Sequence, residues 1–281
     1  MKKRTYAGVT QTPQPSKRYA SDSTDKEWAI MAPELAQADG PGRKRTVDLR
    51  EVVNAIFYRT RTGCQWRMLP TEFPDWRHVW YYYKKWTSDG TWEGLNDLLR
   101  RLVRRAVGKH SDPSLAILDS QTVKATEAGG ERGFDAGKKI KGRKRHILVD
   151  TLGLLLVLVV HAANIQDYDG ARQVLSQAPT KSSRLQKVIA DGIYPKNGLV
   201  EWVKQQFRFI LEIVTRDKEQ KGFVVLPKRW IVERTLAWLG RNRILSKEYE
   251  RLTQTSESDV YIASIRLMLR RLDRRQTVPN F

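Results

Sequence analysis

Between residues 48 and 107 the apolar positions recur with a helical rhythm. In "VDLREVVNAIFYRTRTG" Leu49, Val52, Val53, Ile56 and Phe57 form one stripe, with Gly63 just past its end. "PDWRHVWYYYKKW" predicts a second helix, capped by Asp75, with Val79, Tyr83 and Trp86 turned inward. "TWEGLNDLLRRLVRRAV" predicts a third, with Leu95, Leu98, Leu99, Leu102 and Val103 on one face and Arg100, Arg101, Arg104 and Arg105 mostly off it. Upstream, "STDKEWAIMAPEL" reads as a short helix behind a Ser23/Thr24 cap, followed by the basic loop "DGPGRKRT".

From "SDPSLAILDSQT" onward the pattern becomes that of strands. Leu115 to Leu118 make a short apolar run that is expected to end on Asp119. "RHILVDTLGLLLVLVVHAAN" predicts two strands joined at a turn near Thr151 to Gly153. Then follow a helix ("DYDGARQVLSQA"), a strand ("LQKVIAD"), a helix ("GLVEWVKQQF") and a strand ("RFILEIVTR"). Two closing helices are expected in "KRWIVERTLAWLGRNRIL" and "SESDVYIASIRLMLRRL", the second behind a Ser256/Asp259 capping box. The order predicts an α/β chain, a mixed sheet with helices packed on it behind an all-helical segment, divided near residues 107 to 113.

Charge changes this picture. Lys and Arg outnumber Asp and Glu by 51 to 31, a net +20 that points to a polyanionic partner, nucleic acid first. The one cysteine, Cys64, excludes an intramolecular disulfide and a cysteine-based zinc site, and fits a cytosolic setting. "LGLLLVLVVHAA" is too short to span a bilayer and reads as a buried strand. The first twenty residues are basic without an apolar core, so they are read as a disordered tail and not a secretory signal.

Against that positive background, Asp119 and Asp191 are each expected at the C-terminal end of a strand, where sites form in open α/β sheets, and Glu233 lies on the helix after the last strand. Three such carboxylates would suit a hard cation such as magnesium, and two ions about 4 Å apart would serve phosphodiester chemistry. Taken singly, a strand-terminal Asp is more often a turn or cap residue, and a Glu among arginines a surface ion pair.

The segments "DSQTVKATEAGGERGFDAGKKIKGRKRHILVDTLGLLLVLVVHAANIQDYDGA", "VIADGIY" and "RWIVERTLAWLGRNRILSKEYE" resemble bacterial insertion-sequence transposases of the DDE class, in the insertion-sequence-five family. The preceding "VDLREVVNAIFYRTRTGCQWRMLPTEFPDWRHVWYYYKKW" looks like the helical domain in front of their catalytic domain. The resemblance implies a tail over 1–20, a helical DNA-binding domain over 21–110 and a ribonuclease-H-like catalytic domain over 111–275, with Asp119, Asp191 and Glu233 holding Mg²⁺, for which Mn²⁺ can substitute. It further implies a transposase that cleaves and joins double-stranded DNA at the ends of its element and in a target, acts as a homodimer on DNA, and works in the bacterial cytoplasm at the nucleoid. In such enzymes an Arg four positions before the Glu, a Tyr three before that and a basic residue seven after the Glu grip DNA. Arg229 matches the first, Leu226 stands at the second, and Gly240 at the third with Arg241 beside it. Where the family reads Asp-Gly-Gly-Tyr this chain has "DGIY", and Ile193 is expected to crowd the turn. A DNA-binding copy without catalysis and a nuclease without strand joining remain as alternatives.

Around these acids, "GKKIKGRKRH" is expected to lie along the phosphate backbone through Lys138, Lys139, Lys141, Arg143, Lys144 and Arg145. His161, Asn164 and Asp167 are either support for the acids or helix-entry residues. Of the remaining aromatics Trp76, Trp80, Tyr81 and Tyr82, with Lys84 and Lys85, are candidates to meet DNA. Trp66 is read as packing and Cys64 as inert.

Overall fold

The computed structural model describes residues 18–35, 46–215 and 229–276. Four helices come first: α1 (Asp25–Leu35), α2 (Leu49–Thr62), α3 (Trp76–Ser88) and α4 (Thr91–Ala106). Their ends are set by the residues that the sequence indicates. Thr24 and Glu27 exchange side-chain to backbone hydrogen bonds at the start of α1, and Asp48 and Asp75 cap α2 and α3. Gly63 takes a left-handed φ of 71° that stops α2. Every member of the α2 stripe is buried, as are Val79, Tyr83 and Trp86. The expected tail extends mostly outside the described residues, yet Tyr19 within it already packs on Tyr58 and Phe73.

Six strands follow: β1 (Leu115–Lys124), β2 (Gly133–Asp135), β3 (Ile140–Asp150), β4 (Leu155–Ala162), β5 (Lys187–Asp191) and β6 (Ile210–Val214). Helices α5 (Asp167–Lys181) and α6 (Leu199–Gln206) lead into β5 and β6, and α7 (Arg229–Leu239) and α8 (Thr253–Gln276) close the chain. Across the sheet, β4 and the short β2 flank β3, then come β1, β5 and β6. The β1/β3 and β3/β4 pairs are antiparallel, whereas β1/β5 and β5/β6 are parallel. This is the ribonuclease-H-like mixed sheet expected, with β2 added.

Period-two alternation divides the strands between two cores. Ile117, Ile147, Val149 and Ile189 face the four N-terminal helices, α7 and α8, whereas Ala116, Leu118, Leu148 and Val188 face α5 and α6. The first core runs unbroken from Met31 to Leu269, so helical segment and sheet share one interior.

Three expectations change. β1 continues to Lys124, so Asp119 lies mid-strand. α8 begins at Thr253, and Ser256 and Asp259 bond Glu248 and Arg59 instead of forming a capping box. Arg100 and Arg104 are buried, because α4 is covered on a second side: Arg104 pairs with Asp150 at 2.5 Å, and an Arg100 nitrogen donates to the Lys181 carbonyl.

Candidate active site

Parallel pairing of β1 with β5 ends at Ile117 opposite Ile189, while β1 stays hydrogen-bonded to β3 beyond that point. Asp119 therefore stands just past the β5 edge, where the sheet opens. Its Oδ1 accepts the Ser120 amide at 2.7 Å. Burial pushes its pKa up to about 6; the Ser120 bond and the Arg229 charge oppose that rise, and Asp191 adds to it.

Asp191 ends β5, and its Oδ1 accepts the Ile193 amide at 3.1 Å. The Ile193 side chain points outward, 46% exposed, so it does not crowd the turn as expected; the buried ring there is Tyr194. Glu233 sits on the exposed flank of α7, and one turn earlier Arg229 Nη2 lies 3.3 Å from Asp191 Oδ2 and 3.6 Å from Glu233 Oε1. One guanidinium thus joins the acids at the end of β5 and on α7, beside the half-buried Asp119.

Among the described residues no three His, Cys, Asp or Glu side chains are gathered tightly enough to hold an ion. The chemistry of the donor set nevertheless fits a hard divalent cation. All three groups offer oxygen only, the donor type that such an ion takes.

The basic run divides in two. Lys138 and Lys139 are exposed in the β2–β3 turn, and Lys141 is exposed at the start of β3. Arg143, Lys144 and Arg145 are buried, which corrects the expectation that they reach DNA. β3 is an inner strand covered on both faces, so its side chains alternate into the two cores. Arg143 and Arg145 both pair with Glu248 on one face. On the other, Lys144 Nζ lies 3.2 Å from Asp167 and donates to the Ile165 carbonyl at 2.9 Å.

Asp167, at the start of α5, also accepts the Ser120 hydroxyl at 2.8 Å, tying the residue after Asp119 to the helix. Behind it the rings of His146 and His161 pack at 4.9 Å, both held neutral first by burial. Gly170 makes room for them, since a Cβ there would sit 2.3 Å from His146 Nε2. Asn164 is exposed beside Gly133 of β2. Sequence reasoning missed the Glu248 and Ser120–Asp167 contacts; the one available signal was that alternation in "GRKRHILVD" runs unbroken from charged into apolar residues.

Arg241 is exposed in the turn after α7, next to Gly240, and Leu226 lies outside the described residues. Trp80 and Tyr81 are exposed, whereas Trp66 packs on Arg59 and Tyr83 as expected of a structural residue. Cys64 is a free thiol.

A family model described as a transposase DDE domain matches residues 110–266, and one described as a putative transposase of the IS4/5 family matches residues 24–96. The chain belongs to the transposase DDE domain family, of the IS4/5 type. Its partner class is accordingly DNA, and its chemistry depends on a divalent metal. The insertion element IS402 uncharacterized 16.2 kDa protein of Burkholderia cepacia is 31% identical over 116 residues, 39% of this chain and 77% of that protein. The Drosophila P element transposase, solved as a strand transfer complex, is 13% identical, with a TM-score of 0.26 over 68% of this chain. This chain spans 45% of the length of that one, and a likeness so slight carries no argument. No helix among the described residues is long and apolar enough to cross a membrane.

Proposed function

We propose that this transposase binds the ends of its own insertion element and cuts and joins DNA with Asp119, Asp191 and Glu233 as the catalytic carboxylates, using Mg²⁺, or Mn²⁺ in its place. The observation that carries the reading is the meeting of Asp191 and Glu233 on Arg229 beside Asp119 at the open edge of the sheet. A divalent cation pair held there would activate water or a sugar hydroxyl and stabilise the leaving oxygen of the phosphodiester.

The chain's own contribution is placement. β1 and β5 fix two carboxylates to rigid strands, and α7 brings the third on a separate element. Arg229, now offsetting both acids, is the group that turns to the scissile phosphate. Segment 21–110 acts as the DNA-binding domain and 111–275 as the catalytic domain, with Lys138, Lys139, Lys141 and Arg241 on the phosphate backbone. Concerted cutting of two ends calls for a homodimer on DNA, at work in the bacterial cytoplasm.

The test uses purified full-length protein, Mg²⁺ and labelled DNA carrying the element's ends. Wild type is expected to nick the ends and join them to a target plasmid. Asp191→Asn keeps the shape but loses the charge, so it should abolish cleavage and leave end binding near wild type. Cleavage by the Asn variant would remove Asp191 from the ligand set, and nicking without joining would leave a nuclease.

A further inference from the structure

Away from the three acids, a cavity of about 90 Å³ closes between the segment before α1, the end of α2, the turn after α7 and the middle of α8. Four arginines line it, Arg61, Arg241, Arg266 and Arg270, together with Ser21 and Trp238, and no carboxylate is among the lining residues. Arg266 is fixed at the back, its Nη1 2.5 Å from Glu27 and its Nη2 donating to the Asp22 carbonyl at 2.9 Å. Arg61 donates to the Arg241 carbonyl, which holds the Arg61 guanidinium at the rim. Ser21 is 6% exposed. Its hydroxyl and the Arg266 Nε are buried without a hydrogen-bond partner among the described residues.

Buried donors are ordinarily satisfied, so two unpartnered donors on residues that line a cavity walled by guanidinium groups point to an acceptor bound beside them. A tetrahedral oxyanion offers acceptors in several directions, and the planar guanidinium fork suits it. The volume admits one phosphate group.

We infer that this cavity is a phosphate-binding site, and that its phosphate comes from the DNA backbone. The choice of source rests on the proposed function; the phosphate chemistry does not. α7 carries Glu233 near its start and runs into Arg241, so at about 1.5 Å per residue the site lies on the order of 10 Å from Glu233 along the helix axis. A strand entering the catalytic edge would be anchored a few nucleotides away, against the N-terminal helices and α8 together.

The experiment is a thermal melt of the full-length protein in inorganic phosphate against chloride at matched ionic strength. Phosphate should raise the melting temperature and chloride should not. Ser21→Ala removes a hydroxyl without a partner, so it should melt as wild type does in chloride and lose most of the phosphate shift. Arg61→Gln, at the exposed rim, should weaken phosphate about tenfold and lower the slope of log K against log salt for duplex DNA by about 0.9. With duplex bound, phosphate should give no further shift. Phosphate no better than chloride overturns the site, as does Ser21→Ala melting low in chloride. A phosphate shift with an unaltered DNA slope in Arg61→Gln overturns the DNA source and leaves free phosphate or a nucleotide. Asp191→Asn should keep the full phosphate shift, so failure of the catalytic assignment is separable from failure of this one.

Discussion

At the scale of single residues, Asp119 shows how a proposed catalytic carboxylate opposes folding. Its carboxyl titrates near 6 in the folded chain against an ordinary 3.8, chiefly because it is buried. The sign follows directly. A group whose pKa rises on folding contributes stability that is complete below the unfolded value and disappears as pH climbs through the folded one. Asp119→Asn should therefore be more stable than wild type at pH 8 without divalent cation, by about 2 kcal/mol after allowance for partial exposure, and equal to it at about pH 3. Urea titrations at the two pH values read this out, and an equal difference at both would show that Asp119 is not strained by burial. Ile193 illustrates the converse. A bulky residue looks obstructive in "DGIY", yet the Asx-type turn closed by its amide directs the side chain to solvent.

Elements decide what a charge is for. Six cations in ten residues look like a DNA-facing loop, but β3 is an inner strand and carries three of them inside. Arg143 and Arg145 share Glu248, which comes from the segment joining α7 to α8, so strand and segment are locked together by buried ion pairs. Removing one partner of such a cluster leaves charge buried and unpaired. Glu248→Ala should cost about 3 to 5 kcal/mol in urea unfolding. Lys141→Ala, at the exposed start of the same strand, should stay within about 0.5 kcal/mol of wild type while lowering the salt slope of DNA binding. Similar values for the two variants would mean that the burial contrast along β3 is not felt energetically.

For the whole molecule, α8 is the element on which both parts converge. Asp259 on α8 receives Arg59 from α2 at 3.0 Å and the Tyr83 hydroxyl from α3 at 2.9 Å, and Ser264 bonds Asn96 of α4 at 2.8 Å. Asn96 in turn donates to the Leu155 carbonyl at the start of β4. With these bonds inside one apolar core, N-terminal helices and sheet should unfold as a unit. Tryptophan fluorescence, weighted toward α3 and α4, should follow the same urea transition as far-ultraviolet circular dichroism. Asp259→Ala should move both curves together by about 3 to 5 kcal/mol, since Arg59 is left buried beside Glu250 alone. Two separated transitions would show that the helical segment is an independent folding unit.

The sequence by itself determined the elements whose signals are local. The α2 stripe, the cap at Asp75, the turn at Gly153 and the alternation of strands and helices after residue 113 all depend on neighbours a few positions away, and they stand where expected. Tertiary structure alone decided what depends on distant partners. Asp119 is mid-strand because β3, not β5, continues beside it. Arg104 and Arg143 are interior because Asp150 and Glu248 are placed opposite them by the fold. The phosphate cavity draws Ser21, Arg61, Arg241 and Arg266 from four places in the chain. Burial of a charge is settled by what covers it, and no local pattern encodes a cover that arrives a hundred residues later.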